Sequence, residues 1–261
     1  MFFNSRRSSV LSKRGMVATS QPLAAVAGLK MLMKGGNAID GAVAAAAALA
    51  VVEPMSTGVG GDAFSLVWMA KEKKVHALNA SGRAPQGASV EELVHKGFAE
   101  IPPTSPYSVS IPGTVDGWID ILERYGTMPI SEVLEPAIHY AESGFPVSEL
   151  IAHQWADGME KLSQFPSGRE LSINGEAPRN GQTVILSGLG KVLRDIAEGQ
   201  MPGRLAFDLD LMSRWWILAH VWGAQHGIHF INRRFFFNSV TGRLEPIAFD
   251  GTPEPELGCR N

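Results

Sequence analysis

The most regular feature of the hydrophobic pattern is the block at residues 42–52, where small apolar side chains, mostly alanine, occupy nearly every face of a helix. A helix with small side chains on all sides lets its neighbours come close, which places it in the core. Asn37 and Asp40, three residues apart, form a capping pair at its start, and Pro54 ends it. Upstream, the apolar run at 16–19 reads as a short strand. Ser20 then caps a helix with Pro22 in its first turn, which stops at Gly35-Gly36. Runs at 64–69 and 75–78, joined by the charged turn at 71–74, predict a β-hairpin, and residues 79–85 leave it as a loop.

Further along, Ser89 with Glu92 reads as a capping box for a short helix ending at Gly97. Residues 107–111 read as a strand. Pro112-Gly113 opens a helix with Val115, Trp118, Ile119 and Leu122 on one face. Another helix spans 131–143 and stops at Gly144. Asn174-Gly175 and Asn180-Gly181 mark turns, and an amphipathic helix covers 186–198. After residue 200 the pattern changes: three of the six tryptophans, Trp215, Trp216 and Trp222, fall close together. Residues 208–222 are helix-like, and 235–237 and 244–249 read as a hairpin with a long turn. A boundary near 200 divides the chain into regions 1–200 and 201–261.

Composition adds limits. With 261 residues, 45% apolar and 19% charged, the chain can bury a substantial core and does not have a disordered composition. A net charge of −3 leaves no basic footprint for nucleic acid. Cys259 is the only cysteine, so no intrachain disulfide forms. The basic N-terminal residues are followed by no apolar stretch of signal-peptide length, and the longest apolar run is about half of the ~20 residues of a membrane helix. The expectation is a soluble, cytoplasmic protein without nucleic-acid or membrane partners.

Candidate chemistry is sparse. Gly58-Val-Gly-Gly-Asp62 holds three glycines within four residues. It reads either as a structural turn or as a loop whose backbone approaches a ligand, and it is not a phosphate loop because no Gly-Lys-Ser/Thr follows. Arg83, between Gly82 and Pro85 in a loop, suits bidentate capture of a carboxylate, although a lone loop arginine is more often simply solvated. His76, His95, His139 and His153 are scattered, and His220, His226 and His229 fit no common zinc pattern, so no metal site or cofactor is expected. No Gly-x-Ser-x-Gly elbow is present, and Cys259 lacks a partner base.

Ordered blocks from about residue 6 to 198 resemble the N-terminal, large-subunit part of the gamma-glutamyltranspeptidase family. They are Met16-Val-Ala-Thr-Ser20, Ala27-Gly28, Gly35-Gly-Asn-Ala-Ile-Asp40, Ala42-Val43, Val52-Glu-Pro54, Gly58-Val-Gly-Gly-Asp62, Arg83-Ala-Pro85, Val109-Ser-Ile-Pro-Gly113, Pro136-Ala-Ile138 and Gly144-Phe-Pro-Val147. The resemblance implies an α+β fold, the large-subunit half of the four-layer αββα sandwich of N-terminal-nucleophile hydrolases. It also implies a precursor that cuts itself into two subunits. The new N-terminal Thr then attacks the gamma-glutamyl amide of glutathione or a similar substrate and passes the acyl group to water or an amine. The family holds the substrate's carboxylate with a loop Arg.

Two departures from the family pattern matter. In its best-known members that Arg stands in an Arg-Glu-x-Ala-Pro block; alignment on Ala84-Pro85 puts Ser81 at its position, while Arg83 comes two residues later. Arg83 and Ser81 are therefore the candidate substrate-binding residues. The family's nucleophile follows Asp, yet none of Thr19, Thr57, Thr104, Thr114, Thr127, Thr183, Thr241 and Thr252 does. No catalytic residue is assigned in this chain. The expectation is a truncated family member, inactive alone and lacking its small subunit, with apolar strand surface left exposed. The alternative is a non-catalytic, large-subunit-like binding or assembly protein that needs a separate small subunit. The tail, an unrelated-looking α/β segment, faintly resembles spore-coat-protein-H-type atypical kinases around 232–251, a likeness that matches Asp250 to a metal-binding Asp.

Overall fold

The computed structural model describes residues 9–82, 89–101, 110–163 and 171–199, together with strands at 234–238 and 243–247. Its centre is helix α2, Ala38–Val52, whose alanine-rich body is buried on almost all sides. Helix α1, Pro22–Met33, lies against it so closely that a Cβ on Gly28 would sit 2.7 Å from the carbonyl oxygen of Gly41. α2 also packs against α4, Thr114–Tyr125, and α5, Ile130–Ser143. Val43, Ala47, Val51, Trp118, Leu122, Val133, Leu134 and Ala137 share this core. Helix α7, Ser187–Ala197, packs on α5, where Gly190 lies against Ala141 and Glu142. Across that contact Arg194 donates to both carboxylate oxygens of Glu142.

The α2 N-terminus is a reciprocal cap. Asn37 Oδ1 accepts from the N–H groups of Ile39 and Asp40, and Asp40 Oδ2 accepts from the Asn37 N–H at 2.7 Å. Asp40 does more than cap. Its fully buried carboxylate accepts from Thr127 Oγ1 at 2.6 Å and from the N–H groups of Thr127 and Met128, in the turn between α4 and α5. Asn37 Nδ2 donates to the Tyr125 carbonyl in the same turn. Burial alone pushes the Asp40 carboxyl upward, but hydrogen bonds from the Thr127 side chain and from the Asn37, Thr127 and Met128 N–H groups outweigh it and hold the pKa below its ordinary value.

Sheet structure is slight. Strands β1, Ala63–Met69, and β2, Lys74–Ala80, form an antiparallel hairpin in which Val67 faces His76 and Leu66 faces Ala77. β3, Phe145–Pro146, pairs with β4, Thr183–Val184. β5, Arg234–Asn238, pairs with β6, Arg243–Ile247, so the hairpin expected in the tail is present. The described residues thus form a mainly helical α+β body with separate two-stranded sheets. Among them, no helix is long and apolar enough to cross a membrane.

Four local expectations need correction or addition. Residues 16–19 form no strand, because no described strand runs beside them; Val17 packs over Gly28 instead. Ser20 does not cap α1. Its hydroxyl donates to Glu53 Oε2 at 2.7 Å, and Gln21 is the cap, its side chain accepting from the Leu23 and Ala24 N–H groups. Before α3, Val90–His95, Ser89 accepts from the Glu92 N–H, which is the forward half of the expected box. An additional helix, α6 at Glu149–Ser163, buries Ile151 and Trp155, whose indole N–H donates to the Leu171 carbonyl at 2.8 Å. Most of the strand expected at 107–111 and all of the helix expected at 208–222 lie outside the described residues.

The Asp40 network predicts a pH-sensitive fold. Because the folded-state pKa is depressed, its stabilisation is present in full above the ordinary value of 3.8 and is lost as pH falls through the lower folded value. Asp40→Ala is expected to cost about 3 kcal/mol at neutral pH, since it strands several donors in the α4–α5 turn. Urea unfolding at pH 7 and near pH 3 measures both effects, and the variant's stability is expected to vary less than the wild type's between them.

Candidate functional site

The glycine loop packs where three chain segments meet: its own end, the exit from β2, and the approach to α4. Gly58 is the acceptor of a tight turn, with the Gly61 N–H donating to its carbonyl at 3.3 Å. The carbonyl of Gly61 in turn accepts from the N–H groups of Gly113 and Thr114, at 3.0 and 3.1 Å. Among the described residues α4 has no side-chain cap, and this carbonyl satisfies N–H groups that a helix start leaves orphaned. Both readings of the loop therefore bear on one place: it is a structural turn, and it sits at the meeting point that carries the candidate site.

Asp62 ties the other two segments together. Its Oδ1 accepts from the Gly82 N–H at 2.9 Å and from Ser110 Oγ at 2.8 Å. Ser81 lies exposed beside this junction, its N–H donating to Asn79 Oδ1 at 2.9 Å. The approach is close enough to require glycine at two positions. A Cβ at Gly82 would fall 1.3 Å from the Ile111 carbonyl oxygen, and one at Gly113 would fall 2.3 Å from that of Ala80. Gly117, one turn into α4, similarly lies against Ala80. Beneath the loop, the Thr114 hydroxyl is buried and has no hydrogen-bond partner among the described residues.

Of the two candidate substrate-binding residues, Ser81 is at this junction, and Arg83 follows Gly82 in the chain but lies outside the described residues. Asp62 was not singled out by residue pattern, because its partners are 20 and 48 positions away. The scattered histidines stay apart. His76 pairs with Glu72 at 2.7 Å, His139 meets Ser143 and His153 meets Asp157, all four residues apart along the chain. No group of three or more His, Cys, Asp or Glu side chains that could hold a metal is found among the described residues. Cys259, Asp250, His220, His226 and His229 lie outside them.

The hairpin leading into the junction carries a bare apolar face. Phe64, Leu66 and Trp68 alternate along β1 with 70%, 78% and 59% of their surface exposed, and Val75 and Ala77 lie opposite them on β2. The other face, through Val67, meets the helices. Three large apolar side chains thus stand in a row on solvent-facing strand surface.

Glycine packing at the junction can be tested by contrast. Gly82→Ala is expected to destabilise the chain by about 3 kcal/mol, because a backbone carbonyl stands where the methyl must go. At Gly58 a Cβ meets open space, so Gly58→Ala is expected to change stability by no more than ~0.5 kcal/mol. Urea denaturation of the two variants checks the pair.

The comparisons with known proteins agree with this architecture. Residues 24–206 match the family model described as gamma-glutamyltranspeptidase. The chain is 38% identical over 188 residues to a glutathione hydrolase proenzyme of Bacillus subtilis, covering 70% of this chain and 32% of that protein. It is 40% identical over 216 residues to the glutathione hydrolase-like YwrD proenzyme of the same organism, covering 82% of this chain and 40% of the relative. Among solved structures, cephalosporin acylase from Bacillus halodurans superposes with a TM-score of 0.69 at 35% identity, over 95% of this chain and 47% of that one. The chain thus spans less than half the length of these proteins. With the family model matched over most of its length and its glycine loop, Asp40 cap and Gly113 turn folded into one body, this chain belongs to the gamma-glutamyltranspeptidase family.

Proposed function

We propose that this chain forms the substrate-holding half of an N-terminal-nucleophile amidase of the αββα type, acting on gamma-glutamyl amides such as glutathione. In this reading Arg83 binds the substrate's carboxylate, with Ser81 beside it. The nucleophile comes from a small subunit, because no threonine in this chain follows an aspartate as the family's nucleophile does. The acyl group passes to the threonine oxygen as the amide nitrogen leaves with a proton, and water or an amine then releases it.

One observation carries the proposal. The exposed row Phe64, Leu66 and Trp68 ends beside Asp62, so a subunit covering the apolar face brings its own residues to the junction that precedes Arg83. Covering that face also takes out of water the apolar row that the helices on the other face leave open. The relatives' names support amide hydrolysis as the reaction class, since they include glutathione hydrolases and a cephalosporin acylase.

The test is reconstitution. The chain is co-expressed with the C-terminal segment of the Bacillus subtilis glutathione hydrolase-like relative, and turnover of a gamma-glutamyl anilide is followed alongside size-exclusion chromatography. The expected result is no turnover by the chain alone and a co-eluting, active complex. Arg83→Ala is expected to raise KM about tenfold or more with less effect on kcat, as befits loss of a charge-assisted carboxylate contact. Trp68→Asp is expected to prevent assembly. Sustained turnover by the isolated chain, unaffected by Arg83→Ala, overturns the proposal.

A further inference from the structure

We propose that Asn174-Gly175 is a self-modifying site: in the folded protein the asparagine side chain loses ammonia to the backbone and passes into aspartyl and isoaspartyl forms. The chain's other Asn-Gly pair, Asn180-Gly181, is held against the same reaction by the fold. The inference is independent of the reaction in which the chain takes part.

The chemistry needs only the peptide itself and water. The Gly175 nitrogen attacks Cγ of the Asn174 side chain and a new C–N bond forms. The Cγ–Nδ2 bond breaks, and Nδ2 leaves as ammonia with the proton of the Gly175 N–H. Water then opens the cyclic imide at either carbonyl, giving an aspartyl residue or an isoaspartyl one whose backbone runs through the former side chain. Glycine as the following residue puts no side chain in the way of the attack. Because the nucleophile is the glycine nitrogen, the reaction depends on whether its N–H is already engaged.

Exposure and space do not separate the two pairs. Asn174 and Asn180 are both exposed, and a Cβ at Gly175 or Gly181 would meet nothing within 4 Å. Hydrogen bonding does separate them. Asn174 and Gly175, at φ 56° and 83°, are the central residues of a tight turn closed by Ile173 and Glu176, each of which donates its N–H to the other's carbonyl, at 2.9 and 3.1 Å. The Gly175 N–H takes no part in that bridge and has no partner among the described residues. The Gly181 N–H instead donates to the Val147 carbonyl at 2.8 Å. Its neighbours are tied too, since the Val147 N–H donates to the Gln182 carbonyl and the Gln182 N–H to that of Arg179, both at 2.9 Å. These bonds adjoin the pairing of β3 with β4, so freeing the Gly181 nitrogen means opening the end of that sheet. Reorienting Asn174 for attack disturbs only the two bonds of an isolated bridge.

The experiment uses the full chain, incubated at mildly alkaline pH both folded and in denaturing urea. Proteolytic peptides are followed over time by mass spectrometry, with chromatographic separation of the aspartyl and isoaspartyl forms. In the folded chain Asn174 is expected to convert about tenfold faster than Asn180 or more, the factor that one backbone hydrogen bond on the attacking nitrogen supplies. In urea the two pairs are expected to convert at similar rates, because the bond to Val147 is gone. Asn174→Gln is expected to abolish the product at the turn and to leave the rate at Asn180 unchanged. Conversion at Asn180 as fast as at Asn174 in the folded chain overturns the proposal, as does an Asn174 that converts only in urea. A preference for Asn174 that persists undiminished in urea overturns it as well, since the flanking sequence and not the fold would then set the difference.

Discussion

The fold depends on one buried carboxylate. Asp40 closes the N-terminal cap of the central helix and, with the same two oxygens, takes hydrogen bonds from Thr127 and Met128 in the turn between α4 and α5. Most helix caps act within a few residues of the chain. This one joins positions nearly ninety residues apart, so the α2 start and the α4–α5 turn share the same carboxylate. A buried carboxylate without these donors would carry a desolvation penalty of several kcal/mol. The turn therefore needs Asp40 as much as Asp40 needs the turn.

Around that anchor the core is built on small residues rather than large ones. α2 offers alanine on most of its surface, and α1 approaches until Gly28 and Gly41 are in backbone contact. Such packing gains dispersion contacts between main chains, with little side-chain entropy to lose on folding. It also transmits position: α4 is held by α2 on one side and by the β2 exit on the other, where Gly117 and Gly113 meet Ala80. The glycine loop is fixed in turn, because its Gly61 carbonyl serves as the cap that α4 lacks among its own side chains. The path from Asp40 to Asp62 is a run of close backbone contacts through one helix.

What could be read from the chain divides by distance. Asn37 and Asp40, Ser89, Gly144 and the amphipathic face of α4 act within one or two turns, and their residue types announce them. Ser20 misled because its residue type suits a cap that accepts from helix N–H groups, whereas its hydroxyl donates to Glu53, thirty-three residues on, and Gln21 accepts those N–H groups instead. α6 lies outside the expected elements, and Ile151 and Trp155 bury surface on it at positions four apart. The run at 16–19 has strand propensity, but without a neighbour to pair with, propensity has nothing to act on. At the candidate site, Arg83 and Ser81 could be singled out because a resemblance marks their positions. Asp62 could not, since nothing local says that its carboxylate crosses to Gly82 and Ser110.

The two faces of the hairpin show how one strand register both anchors a body and exposes an apolar row. Val67 and its neighbours on the inner face are held by the helical core, and that grip fixes the strand register. Once register is fixed, side-chain alternation obliges Phe64, Leu66 and Trp68 to project from the opposite face. A one-residue slip that hid them would expel Val67 and break the pairing that delivers Ala80 and Gly82 to the start of α4. The apolar row is therefore not a packing defect that the chain could relax away. It is presented by the same constraint that builds the junction at Asp62.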